Sequence, residues 1–157
     1  MRTIGAGAVA LMCAAVLGMP LVGSAQTMMA GSPDQIQTQL KTAMFHAGEL
    51  AQRANALAAV QLHTHHVLNC LEGPSGPDFF PQAGNPCQGQ GNGIIPDLRV
   101  AMMHNLPGAQ AALQEAMICE NLAKQALASK DINEAQPFVL VVSRHLQAAS
   151  QDLSQAQ

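Results

Sequence analysis

The stretch "LHTHHVLNC", residues 62 to 70, holds three histidines and a cysteine in nine residues. On a helix, at about 100° per residue, His63, His66 and Cys70 fall within roughly 60° of one another. His65 points elsewhere, onto the stripe that carries Leu68. Two imidazoles one turn apart are the start of a metal site, because neutral imidazole binds copper, zinc, nickel or iron. Two ligands seldom suffice. The candidates to complete the shell are His104, which follows Met102 and Met103, then His145, and then His46.

Methionine bears on the choice of ion. "MFH" at 44 to 46 and "MMH" at 102 to 104 pair thioether with imidazole, and Met28 and Met29 add two more sulfurs. Soft thioethers favour Cu(I), so the cofactor expected is a transition-metal ion, with copper first. The phrase "FHAGELAQRA", residues 45 to 54, resembles small exported His/Ala-rich helical metal-binding proteins. That resemblance implies metal buffering. It covers one unit, His46 with Ala47, and the heptad repetition of histidine in that group is absent here.

Ordinary readings stand beside these. His63 and His66 can be solvated helix residues, and His65 a half-buried polar group with a local partner. His145 can be packing near Val142. His104 can sit at a helix end, where a cation suits the C-terminal dipole. Cys119 lies in a seam of alanines, where a free cysteine is usually inert. Two other functions remain open. One is a helical bundle binding haem through two histidines such as His65 and His145, though aromatics are scarce, with four Phe and no Trp or Tyr. The other is a cofactor-free interaction protein that presents residues 73–97, with Phe79, Phe80, Ile94 and Ile95, to another exported protein.

An enzyme is not expected. No nucleophile elbow and no His-Glu-x-x-His are present, and the carboxylates are scattered. The glycine-rich loop does not follow a strand in the dinucleotide-binding manner.

The opening "MRTIGAGAVALMCAAVLGMPLVGSAQ" has an early Arg, an apolar run and small residues at Gly23, Ser24 and Ala25. It reads as a secretory signal peptide over residues 1–25, cut after Ala25. Residues 26–157 then form one domain of periplasmic or secreted location. They carry six basic side chains against ten acidic ones, and no basic patch, so nucleic acid is not a partner. Nothing after residue 25 is long and apolar enough to span a bilayer. In an oxidising compartment Cys70 and Cys87 flank a loop and are the expected disulfide, worth about 3 kcal/mol in the chain-entropy model.

Apolar spacing of three and four predicts one helix, or two joined at a bend, over residues 34–71. Its stripe is Ile36, Leu40, Ala43, Ala47, Leu50, Ala54, Leu57, Gln61, Thr64 and Leu68. Residues 72–97 are rich in Gly and Pro and form a long loop. A short helix is expected at 98–105, then one from Pro107 to about Ser129 with the seam Ala109, Ala112, Ala116, Cys119, Ala123 and Ala126. Asp131 and Glu134 have the form of a capping box opening a last helix, whose stripe is Ala135, Val139, Val142, Leu146, Ala149 and Leu153. "ELAQRANA" at 49 and "NLAKQALA" at 121 echo one another, as duplicated hairpins or as two Ala-rich helices would. The fold class is therefore all-α: an antiparallel bundle of three main helices and a short one, with a disulfide-tied Gly/Pro-rich loop. An alanine seam can pair within the chain or across a homodimer.

Overall fold

The computed structural model describes residues 31–155 and, alone at the start, Met1. The expected signal peptide, its cut after Ala25, and Met28 and Met29 fall outside these described residues. Among the described residues all regular structure is helical, with five α-helices and no strand. They are α1 (Pro33–Met44), α2 (Leu57–Glu72), α3 (Ile94–Met103), α4 (Ala109–Ala128) and α5 (Ile132–Gln155). A π-helical segment, Phe45–Ala51, continues α1, and a single 3₁₀ turn, Pro81–Ala83, lies in the long loop. No helix of the described residues is long and apolar enough to cross a membrane.

Helices α4 and α5 meet along the two stripes their spacing predicts, and every residue of both stripes is buried. They run antiparallel: Glu115 faces His145, and the Cys119 thiol donates to the Val142 carbonyl at 3.5 Å. The α1 side also runs antiparallel to α5. Gln37 bonds to Ser150 at one end, and Gln52 and Gln136 exchange side-chain-to-carbonyl bonds at the other. Asp131 accepts from the Glu134 N–H at 3.0 Å, as the capping spacing requires, while the Glu134 carboxylate reaches one residue further back, to the Lys130 N–H and not to that of Asp131. Pro137 is tolerated inside α5.

The span 34–71 is two helices with a π-helical insert, not one regular helix. The wide π turn moves the buried face from Leu50 to Ala51, so Ala43, Ala47 and Ala51 line up at steps of four. Gly48 sits where an added Cβ would lie 3.0 Å from the Ser143 hydroxyl, which lets α5 approach the widened turn. The chain then breaks before Ala56, in extended conformation, and the Gln136 side chain satisfies the freed carbonyls of Gln52 and Ala54. In α2 the buried face is Val60, Thr64, Val67, Leu68 and Leu71. Gln61 is only half-buried, and its amide donates to the Leu127 carbonyl in the last turn of α4 and to that of Ser129, which caps the helix.

Cys70 and Cys87 form a disulfide across the long connection. The loop ends at Gly93, four residues before the expected Asp97, because Ile94 and Ile95 are buried at the start of α3. Its two ends touch: at φ +71° Gly73 would drive a Cβ to 1.7 Å from the Asn92 carbonyl oxygen, so only glycine fits. Behind this closure Asp97 is fully buried and accepts from Gln39 Nε2, Asn92 N and Asn92 Nδ2 at 2.8–3.0 Å. At the loop's other flank the Lys124 ammonium on α4 lies 2.6 Å from both Asp78 and Glu120, tying loop to helix.

Cys119 is fully buried, and burial together with the Glu115 charge pushes its thiol far above the ordinary 9.0. A thiol held protonated in the fold stabilises it below the unfolded thiol's pKa, and that contribution is lost as pH rises past it. Stability should therefore fall by roughly 1 kcal/mol per pH unit above about 9. Urea midpoints between pH 8 and 10 should show a slope in the parent that Cys119→Ala lacks. Native protein should also resist alkylation at this thiol.

Candidate metal centre

Three histidines meet on one side of the molecule. His46 comes from the π-helical segment, and His63 and His66 from α2, one turn apart. His46 Nδ1 lies 3.1 Å from His66 Nδ1 and 3.3 Å from His63 Nδ1. One nitrogen from each ring falls within 4.8 Å of the other two, a grouping that could hold a metal ion. The ring centroids are 4.5–5.5 Å apart, and the edge of Phe45 meets His46. All three residues are partly exposed.

The other face of His66 is fixed. Its Nε2 lies 2.6 Å from the Ala83 carbonyl oxygen, which can only accept. The ring proton of neutral His66 is therefore on Nε2, and Nδ1 presents a lone pair to His46. His46 Nδ1 carries at most one hydrogen and faces two ring nitrogens. The neutral trio can make one well-directed hydrogen bond among its Nδ1 atoms, which leaves the second short contact poorly satisfied. A cation between the rings removes that conflict. The two spacings from His46 suit one, because nitrogens bound tetrahedrally at about 2.0–2.1 Å lie about 3.3–3.4 Å apart.

Electrostatics favours the ligand form. Burial, then the neighbouring His66 and His63, lower the His46 pKa to about 4. Burial and His66 lower that of His63 as well. Near neutral pH both rings are deprotonated, so an incoming ion displaces no proton from them.

The remaining candidates lie elsewhere. His104 follows the last residue of α3, exposed, beside a shallow cavity shared with Gly31, Pro33 and Leu106. Met102 and Met103 are exposed on the same helix end, and α3 packs on α1, α2 and α4 but not on the segment that carries His46. His145 pairs with Glu115. His65 stacks on Phe80 at 4.5 Å, with its Nδ1 buried and without a hydrogen-bond partner among the described residues, and burial lowers its pKa. The two histidines considered as haem ligands are thus engaged with Phe80 and Glu115. Of the five metal candidates, His46, His63 and His66 come together, while His104 and His145 stand apart from them. Cys70 is in the disulfide.

Two features had no sequence signal. One is the Ala83 carbonyl, a main-chain group 17 residues from its histidine. The other is a second grouping, Glu72, Asp78 and Glu120, with Lys124 among the carboxylates. Burial raises the Glu72 pKa, and the Lys124 ammonium lowers that of Asp78. Compared with known proteins, the chain matches no family model, no curated protein and no solved structure.

Proposed function

We propose that this chain is an exported metal-binding protein that takes a transition-metal ion between His46, His63 and His66 and releases it again, as a buffer or carrier. The convergence of three ring nitrogens, with His46 Nδ1 3.1 and 3.3 Å from the other two, carries this reading. Export rests on the N-terminal sequence, whose apolar run and small residues have the form of a secretory leader. Three nitrogen donors leave a fourth position for water or for a donor on an exchange partner, as zinc sites with three protein ligands do. Partial exposure of the rings suits exchange. Imidazole serves Cu(II), Zn(II) and Ni(II) alike, and copper is the first ion to test because of Met44 near His46 and the chain's other methionines.

The test is a melting series on metal-free protein with Cu(I), Cu(II), Zn(II) or Ni(II). An ion at about 100 times its dissociation constant stabilises by about 2.7 kcal/mol, a rise on the order of 10 °C for a domain this size. A flat melting temperature with all four ions would overturn the reading.

A further inference from the structure

Asn69 is fully buried between Leu68 and Cys70 on α2, one turn beyond His66. Its side chain spends three hydrogen bonds on one piece of the loop. Nδ2 donates to the Phe80 carbonyl at 2.8 Å and to the Gly84 carbonyl at 2.6 Å, and Oδ1 accepts from the Phe80 N–H at 2.8 Å. These bonds bracket the Pro81–Ala83 turn on both sides. The backbone between the brackets presents the Ala83 carbonyl to His66 Nε2. The neighbouring Cys70 holds the same loop at Cys87. Consecutive residues of α2 thus fix the chain that orients a ring one turn earlier.

We propose that Asn69 is a positioning residue of the three-histidine site: it stations the Ala83 carbonyl, which takes the Nε2–H of His66 and commits Nδ1 of that ring to the ion. This rests on the metal-binding reading above and adds to it a role for the long loop as the outer shell of the site. Outer-shell partners of this kind orient a ligating imidazole and fix its tautomer. Without the carbonyl, the His66 proton is free to sit on Nδ1, where it blocks the lone pair that faces His46. The same constraint sets the coordination mode, with His66 bound through Nδ1 and never through Nε2.

Two variants probe the chain of contacts at different points. Asn69→Ala removes all three bonds. Gly84→Ala leaves Asn69 intact and meets open space, but Gly84 has φ +87°, which an alanine resists, so the preceding peptide and its Ala83 carbonyl must turn. Gly84 is exposed, so this variant keeps the core. Titration with Zn(II), followed by competition with a chelator, should show binding weakened about 10–100-fold in both variants. Nitrogen-15 shifts of the histidine rings in the metal-free parent should show His66 protonated on Nε2, with that preference lost in Gly84→Ala. A merely structural role for the loop would not move this spectrum. Parent His66 protonated on Nδ1, or Zn(II) affinity unchanged in Gly84→Ala, would overturn the proposal. If the parent binds no ion at all, the metal-binding reading falls, and the proposed positioning of the ring then stands or falls on the nitrogen-15 spectra alone.

Discussion

His46→Ala should remove the metal-induced rise in melting temperature and weaken ion binding by more than about 100-fold, beyond the loss expected for an outer-shell partner. His46 is the hub of the trio: its Nδ1 is the atom that lies 3.1 and 3.3 Å from the other two Nδ1 atoms. Without it, His63 and His66 are left as a pair on one helix, and two imidazoles seldom hold an ion. The metal-free variant should melt close to the parent. The lost ring is only half-buried, and removing it also removes the crowding of nitrogen against nitrogen, so the net change should stay within about 1 kcal/mol. That separation of a lost ligand response from a kept fold is the informative outcome. Isothermal titration of the parent, His46→Ala and His65→Ala with Cu(II) and Zn(II) checks it. His65 stacks on Phe80 outside the trio, so its variant should bind like the parent within a few-fold. If His46→Ala bound as tightly as the parent, the ion would not lie between these rings.

Much of the fold is legible in the sequence where one physical rule acts alone. The α4 and α5 stripes follow from three-and-four spacing, and the disulfide from two cysteines flanking a loop in a chain whose N-terminus reads as an export leader. At residues 45–56 the spacing left one helix or two open and placed Leu50, where the structure buries Ala51, on the inner face. "ELAQRANA" and "NLAKQALA" are close in composition, yet the first runs from a π turn into a break and the second is unbroken α-helix. The difference lies in what packs against them. α5 presses on Gly48, and Gln136 caps the carbonyls that the break exposes. Local periodicity cannot carry that information, because it belongs to a partner some ninety residues away. The site was legible to the same degree. The pair His63 and His66 is written in helical spacing. The choice of His46 as the third ring, over His104 and His145, depends on how the π segment lies against α2. The outer shell was not legible at all, because its working atom is a main-chain carbonyl.

The double variant Cys70→Ala/Cys87→Ala should lose about 3 kcal/mol of stability, the chain-entropy value for a link spanning 17 residues. For a domain this size that is a fall in melting temperature on the order of 10 °C. Both sulfurs are buried, so trimming them to alanine also leaves small voids that add to the loss. The helices should still form, because the loop keeps independent ties: the Asn69 bonds, the buried Asp97 with Gln39 and Asn92, and Lys124 between Asp78 and Glu120. Ion binding should weaken as well, since the residues that present the Ala83 carbonyl gain freedom when Cys87 is released. The two effects separate the jobs of the link. Circular dichroism melts of metal-free protein read the first, and chelator competition with Zn(II) reads the second. A variant less stable by less than about 1 kcal/mol, with unchanged Zn(II) affinity, would show that the polar ties alone hold the loop and that the disulfide is dispensable to the site.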